Sequence, residues 1–203
     1  MYTLPSFKLD DDDAWSMVNE AGAGFYVRPR TSGLLSVFAP IVVGDDRRTI
    51  STHVARANDW WRDADGDEVL VLVLAASTYV SPRHYPSRLT SPEVVPTWNY
   101  VAAEIRGTVG VHDDATWTRT QAEGQTEHFE SSAEAPWHVR DAPDEFIERQ
   151  VRAIVGVSVV VTSIEGKAKL SQNRPEVDHH EVRRALAEGS LTEREVARWM
   201  GDD

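Results

Sequence analysis

Residues 97–111 form the longest segment with strand-like alternation, and they constrain the fold more than any other part of the sequence. Successive side chains of a strand point to opposite faces. The two faces are formed by alternate residues: Trp98, Tyr100, Glu104 and Arg106 on one, and Asn99, Val101, Ala103 and Ile105 on the other. Gly107 and Gly110 near the end of the segment predict bends of the kind that close a barrel. The segment therefore predicts a long strand of an antiparallel barrel, with one apolar face.

Further strands are predicted over residues 24–28, 34–43, 50–55, 68–77 and 157–164. Because the 68–77 run is continuously apolar, we expect that strand to be buried on both faces. Residues 165–166 are predicted to form a turn after the last strand. The pattern is mostly β, with helices between and after the strands, which is typical of a small closed or half-closed antiparallel barrel.

Helices are predicted over residues 14–21, 113–130 and 141–155, with two short helices at the C-terminus. Gly156 is expected to end the 141–155 helix, which has Pro143 in its first turn. Thr192 and Glu195 are expected to form a capping box at the start of the last helix.

Composition excludes several classes of site. The 203 residues include no cysteine, so a disulfide, a thiolate nucleophile and a Cys-ligated metal centre are excluded. The formal net charge of −12 disfavours DNA binding unless basic residues are concentrated on one face. The N-terminus lacks the basic region of a signal peptide, and the longest apolar run is too short to span a bilayer. We therefore expect a cytoplasmic location.

Polar residues whose side chains could bind a ligand or take part in chemistry cluster at residues 53–58, 79–82, 95–100 and 167–175. In the first cluster, His53 at a strand end can bond a ligand, bind a metal or titrate near neutrality. Arg56 lies before a helix start that Asn58 can cap, where it can anchor a phosphate or a propionate. The simpler interpretation is that Arg56 forms an ion pair with a nearby acid and that His53 is structural. His112, beside two aspartates, is expected to be exposed.

These four clusters, in this order, resemble the PaiB family of FMN-binding negative transcriptional regulators. The resemblance extends from Met1 and Phe7 through Pro136-Trp137 and residues 152–156 to Arg174-Pro175. It implies a mainly β (α+β) fold, an antiparallel FMN-binding split β-barrel with peripheral helices. It also implies a homodimer that holds its cofactor at the subunit interface. We assign residues 1–175 to the barrel domain and 176–203 to a C-terminal helical extension packed on it.

Matched residue by residue, the resemblance implies a flavin pocket. Trp98 would supply a wall for the ring, Gln172 and Asn99 would bond its edge, and Arg56, Lys167 or Lys169 would meet the phosphate. The complete set of predicted cofactor-binding residues is His53, Arg56, Asn58, Tyr79, Ser81, Trp98, Asn99, Lys167, Lys169, Ser171 and Gln172. The 167–172 strand end is accordingly expected to lie against the pocket. The sequence departs from the family pattern at residues 51–52, Asp59 and Ala168, which affects the shape of the pocket.

Two other functions use the same residues. Piperazate synthases, which join two nitrogens of an N-hydroxylated ornithine, resemble this family and use haem. In that case His53 would be the axial iron ligand, and Arg56 or Lys169 would pair with the propionates. A third hypothesis is a transcriptional repressor that acts mainly through partners, since the sequence has no evident helix-turn-helix pattern. The sequence identifies no catalytic residue, so any redox chemistry is expected to belong to the cofactor, and whether the protein is an enzyme stays open.

Overall fold

The computed structural model describes residues 1–31 and 33–201, which form one eight-stranded antiparallel sheet and five α-helices. The strands are β1 (Lys8–Leu9), β2 (Ala23–Arg30), β3 (Gly33–Pro40), β4 (Val42–Val43), β5 (Thr49–Ala55), β6 (Glu68–Val80), β7 (Thr97–His112) and β8 (Ile154–Lys169). The helices are α1 (Asp11–Ala21), α2 (Ala115–Glu130), α3 (Asp144–Arg152), α4 (Glu176–Ala187) and α5 (Leu191–Trp199). The strand order is β3-β2-β6-β7-β8-β5-β4, and β1 pairs with β8.

The chain divides into two compact units. The first unit comprises the described residues of 1–21, 73–104 and 165–203, and the second comprises those of 22–72 and 105–164. Strands β6, β7 and β8 each contribute residues to both units. Helices α4 and α5 lie in the first unit, and the predicted boundary at residue 175 stays a prediction. Within the described parts of the chain, no helix is both long enough and apolar enough to cross a membrane.

The alternation predicted for β7 is confirmed. Asn99 and Val101 are fully buried, whereas Trp98 is 52% exposed and Tyr100 is partly exposed. Near the far end of the strand, a Cβ at Gly107 would collide with the backbone of Val160. Glycine at this position therefore allows β8 to approach β7 closely.

The expectation that residues 68–77 are buried on both faces is wrong. Val71 and Val73 are buried, but Leu72 and Leu74 are 38% and 61% exposed. Odd-numbered residues are buried up to Val73, and even-numbered residues are buried from Ala76 onward. A continuously apolar run thus reflects a strand with one face in the core and an outward face that also carries apolar side chains.

Two predicted element boundaries around β8 are also wrong. Helix α3 begins after Pro143 and ends at Arg152, so Gly156 lies inside β8 rather than at a helix end. Strand β8 then continues through Glu165 and Gly166 without a turn, because this part of the strand pairs with β1. The added partner strand, two residues long, is too short to be recognised from its sequence.

The capping box of α5 is formed by Ser190 and Glu193, not by Thr192 and Glu195. The Ser190 hydroxyl accepts a bond from the Glu193 backbone, and the Glu193 carboxylate accepts one from the Ser190 backbone at 2.7 Å. The helix begins at Leu191, before the residue predicted as its cap.

Trp117 of α2 packs on two residues for which the sequence predicted other surroundings. The His112 ring stacks on the Trp117 ring with 3.8 Å between ring centres, and its Nε2 lies 2.8 Å from the Ser158 hydroxyl. His112 is therefore partly buried rather than exposed, and burial lowers its pKa. A Cβ at Gly156 would overlap the Trp117 ring, so glycine is needed there for packing.

We expect Gly156→Ala to lower the free energy of unfolding by about 1–3 kcal/mol, because the added methyl overpacks the contact with Trp117. Gly124→Ala is the matched control, since a Cβ at Gly124 in α2 meets no described atom within 4 Å. The control should raise stability by roughly 0.5–1 kcal/mol through helix propensity. Urea unfolding of both variants measures the difference, and equal stability of Gly156→Ala and the wild type would contradict the packing argument.

Candidate functional site

An exposed aromatic pair marks the outward face of the first unit. Tyr79 near the end of β6 and Trp98 near the start of β7 are 50% and 52% exposed. Their ring centres lie 6.3 Å apart with the planes inclined by 60°, an edge-to-face arrangement that aromatic pairs favour. Because about half of each side chain faces outward, the pair offers an apolar surface to a planar ligand.

Lys169 lies beside this pair with neutral hydrogen-bond partners. Its Nζ donates to the Thr97 hydroxyl and, at 2.9 Å, to the Trp98 carbonyl. Burial lowers the pKa of Lys169, and the positive charge of Lys167 lowers it further. A bound anion would favour the protonated form of this amine, because it would offset both effects.

Lys167 precedes Lys169 by two residues and therefore shares its face of β8. Its side chain is buried, with Nζ donating to the Tyr2 carbonyl at 3.0 Å. The same atom lies 5.2 Å from the centre of the Tyr100 ring, where a cation is attracted to the π electrons. Lys167 and Lys169, each with neutral hydrogen-bond partners, therefore lie next to each other on one strand face of an otherwise acidic chain.

Asn99 and Ser171 lie inside the first unit. They are 0% and 2% exposed, and their side chains bond each other at 3.0 Å and 3.1 Å. Asn99 has the parity opposite to Trp98 and so points into the core. Ser171 has a φ of +65°, a left-handed conformation at the point where the chain leaves β8.

Ser81 and Gln172 bond the chain next to them. The Ser81 hydroxyl accepts bonds from the backbone and the side chain of Arg83 at 3.3 Å and 3.2 Å, which starts a short 3-10 helix. Gln172 donates to the Ala168 carbonyl at 2.6 Å and accepts from the Leu170 backbone at 2.7 Å. These two residues therefore shape the ends of β6 and β8.

His53 lies in the second unit, where β5 packs against α2. Its Nδ1 is 2.8 Å from Oε1 of Gln121, and Nε2 of Gln121 donates to Gln125 at 3.1 Å. With the Gln121 amide oriented in this way, Nδ1 of His53 is the donor. In the neutral imidazole, Nε2 then carries the lone pair.

Arg56 and Asn58, also in the second unit, bond neighbouring parts of the chain. The Arg56 guanidinium pairs with Asp113 at 2.7 Å and donates to the carbonyls of Arg152 and Ile154. This is the ion pair expected by the simpler interpretation of the sequence. Asn58 caps a short 3-10 helix by accepting a bond from the Trp60 backbone at 2.9 Å, as predicted.

The predicted site residues therefore fall into groups. Tyr79, Trp98 and Lys169 meet on one face of the first unit, and Asn99 and Ser171 meet in its core. The remaining first-unit residues are Ser81, Lys167 and Gln172, and the second unit holds His53, Arg56 and Asn58. Whether any of these residues binds a cofactor stays a prediction.

Sequence reasoning missed Thr97, a partner of Lys169, and Gln121, the partner of His53. Thr97 lies directly before Trp98, so its place at the start of a predicted strand beside a site residue was a usable signal. The contact of Gln121 joins residues 68 positions apart, and no local pattern indicates it.

Residues 1–163 match a protein-family model described as "Putative FMN-binding domain". The chain belongs to this family. Among its relatives is the Bacillus subtilis protein named protease synthase and sporulation protein PAI 2, which is 28% identical over 90% of this chain and 87% of that protein. The resemblance of this FMN-binding-family chain to PaiB is thus confirmed.

Two further comparisons concern length and fold. An uncharacterised protein of Emericella nidulans, AN0679, is 33% identical over 57% of this chain and 51% of that protein. The chain therefore spans about half the length of this relative. A Mycobacterium smegmatis structure titled as an FAD and heme binding protein has a TM-score of 0.60 at 14% identity, covering 89% of this chain and 79% of that one. This likeness confirms the split-barrel fold.

Proposed function

We propose that the chain binds FMN against the outward face formed by Tyr79, Trp98 and Lys169, here called the cofactor face. The observation that carries this proposal is the exposed aromatic pair beside a lysine that bonds neutral groups. A flavin needs an aromatic or apolar wall for its ring and cations for its phosphate. Membership of an FMN-binding family supports the same cofactor.

The local charge supports an anionic ligand. The whole chain carries a formal charge of −12, so it does not attract FMN in general. Lys169 and Lys167 provide a local exception, and the lowered pKa of Lys169 indicates an amine that gains from an anion. We assign the phosphate or another anionic edge of FMN to Lys169, with Lys167 adding to the positive potential.

The other predicted residues receive supporting roles in this proposal. Gln172, exposed at the end of β8, remains a candidate to bond the ring edge. The side chains of Asn99 and Ser171 bond each other, and the Ser81 hydroxyl accepts a bond from the Arg83 backbone. We therefore propose that these three residues hold the strand ends in place. FMN, when bound, supplies one- or two-electron transfer, and the residues named here bind and orient it.

We also propose a homodimer, which the PaiB resemblance implies. In the second unit, Phe25 is paired with Phe38 on β3 and with Leu72 on β6. These three side chains are 53%, 61% and 38% exposed, and the two phenylalanine ring centres lie 5.0 Å apart. A contiguous exposed apolar patch marks an interaction site. A two-fold axis would bury the same patch on both copies.

Haem binding with His53 as the axial ligand is a second candidate, and the His53–Gln121 contact favours it. Histidines that bind metals usually donate their other ring N–H to an acceptor, which fixes the tautomer. Gln121 serves as that acceptor at Nδ1, leaving the lone pair on Nε2. The solved structure from Mycobacterium smegmatis, which has a similar fold, is itself described as binding FAD and heme.

We propose that any regulatory role is exerted through partners rather than by DNA readout. Helices α4 and α5 are joined by a three-residue connection that contains Gly189, a short connection like that of a helix-turn-helix. However, Arg194 and Arg198 of α5 are matched by Glu193 and Glu195, so this helix carries no excess positive charge for phosphate contacts.

We expect Lys169→Met to weaken FMN binding by about ten- to a hundredfold, which corresponds to a lost charge-assisted bond of roughly 1.5–3 kcal/mol. Arg48→Met is the control, because it removes a positive charge from an exposed residue of the second unit, in the connection between β4 and β5. Quenching of FMN fluorescence gives the dissociation constants. Wild-type affinity should also fall as the pH rises through the lowered pKa of Lys169, because the neutral amine no longer attracts the anion. Equal affinity of Lys169→Met and Arg48→Met would contradict this assignment.

If His53 binds haem iron, His53→Ala should weaken or shift the Soret band of the wild-type complex, because the iron loses its axial ligand. Gln121→Leu keeps the imidazole but removes its acceptor, so haem affinity should fall by about 10–100-fold. Haem titration followed by absorption spectroscopy measures both effects. A His53→Ala protein with an unchanged Soret band would exclude His53 as the ligand.

We expect Phe25→Lys to convert the dimer into a monomer, because it places a charge in the centre of the apolar patch. Phe146→Lys introduces the same charge at a 44%-exposed residue of α3 and should leave the dimer intact. Size-exclusion chromatography with light scattering at micromolar concentration reports the mass. A monomeric wild type, or a dimeric Phe25→Lys variant, would reject this interface.

A further inference from the structure

Asp178 of α4 is a buried carboxylate with a full set of donors. Its side chain is 0% exposed. One oxygen accepts the backbone N–H of Ser87 at 3.0 Å, and the other accepts the Ser87 hydroxyl at 2.7 Å and Arg174 Nη2 at 2.9 Å. Burial opposes ionisation, but the bonds from Ser87 and Arg174 outweigh it and hold the pKa of Asp178 below its ordinary value.

Arg174 connects Asp178 to Tyr85, which lies in the same chain segment as Ser87, residues 81–96. Its guanidinium carbon lies 4.3 Å from the centre of the Tyr85 ring, and Tyr85 is 1% exposed. Asp178 therefore holds residues 81–96 directly at Ser87 and, through Arg174, at Tyr85. A buried charge bonded in this way is costly to disturb, because the carboxylate loses several donors at once.

The segment that Asp178 holds is the connection between the two aromatic strands. Strand β6 ends at Val80 and β7 begins at Thr97. Tyr79 is the last residue but one of β6, and Trp98 is the second residue of β7. Both aromatic side chains of the cofactor face are therefore attached to the ends of residues 81–96, and a change in that segment reaches both rings.

We propose that Asp178 is a positioning residue for the cofactor face: by anchoring residues 81–96 to α4, it sets the relative placement of Tyr79 and Trp98. The inference rests on the proposed binding of FMN to that face. Helix α4 lies beyond residues 1–163, the part of the chain that matches the FMN-binding family model. Helix α4 thereby gains a role in cofactor binding that the family match does not assign.

The test compares three variants of the full-length chain. Asp178→Asn keeps the size of the side chain but removes its charge, and Ser87→Ala removes one of the bonds to the segment. Leu186→Ala is the control, because it removes core packing from the same helix at a residue that is 1% exposed. Thermal unfolding ranks their stabilities. FMN titrations and visible circular dichroism spectra of bound FMN are then recorded at a temperature below the unfolding transition of every variant. Hydrogen exchange is measured for the backbone amides of residues 82–90.

We expect Asp178→Asn to weaken FMN binding by about tenfold, because Tyr79 and Trp98 would no longer be held in the placement that receives the flavin ring. The dichroism of bound FMN should change, and exchange in residues 82–90 should accelerate. Ser87→Ala should change FMN affinity, dichroism and hydrogen exchange in the same direction but by less. Leu186→Ala should lower thermal stability and leave FMN affinity and dichroism unchanged.

Wild-type affinity and dichroism in Asp178→Asn would overturn the positioning role while leaving FMN binding intact. An equal loss of affinity in Leu186→Ala would overturn it too, since general destabilisation would then explain the effect. Should Asp178→Asn fail to fold, Ser87→Ala decides by the same criteria. A wild-type protein that does not bind FMN would refute the proposed function, and this inference with it.

Discussion

The alternation of side chains along β7 decides what each face of the sheet can do. It sends Asn99 and Val101 into the core and leaves Trp98 outward, so one strand contributes to stability and to the candidate site at once. The same period of two on β8 brings Lys167 and Lys169 onto one face. A slip of one residue in either strand would exchange the inward and outward rows and remove both the apolar core and the cofactor face.

The arrangement on this face is electrostatically unbalanced. Lys169 is partly buried and near Lys167, and both conditions disfavour its charge. Its partners, a hydroxyl and a carbonyl, satisfy the hydrogen bonds of the amine but contribute no opposite charge. Bonds between neutral groups contribute about 1 kcal/mol, whereas bonds to a charged group contribute about 1.5–3 kcal/mol. An anionic ligand therefore gains more from this lysine than from the hydroxyl and amide groups nearby.

Sequence patterns predicted elements whose determinants are local. The alternation of β7 and the cap at Asn58 are short-range features, and both are found in the structure. Gly156 was misinterpreted because a glycine after a helix resembles a helix end. The actual reason for this glycine is Trp117, 39 positions earlier.

Contacts between distant parts of the chain also decided two other features that local patterns could not predict. These are the exposure of the β6 leucines and the grouping of the candidate site residues. An apolar run does not show whether its outward row is covered by the same chain or left exposed. The family resemblance selected the residues of the cofactor face, but their contacts depend on pairs such as Lys169 and Trp98, which are 71 positions apart. Which predicted residues share a face and which bond inside the core was therefore decided by strand pairing, not by sequence proximity.

The cofactor face also draws on chain beyond the segment that identifies the family. The match covers residues 1–163, which include Tyr79 and Trp98 and end within β8. The last residues of β8 supply Lys167 and Lys169, and Asp178 follows in α4. The matched segment alone would keep the aromatic wall but lose Lys169 of the face, the neighbouring Lys167 and the anchor of the β6–β7 connection. In this protein the apolar part of the proposed FMN site thus lies within the matched segment, whereas its positive charge comes from the residues that follow.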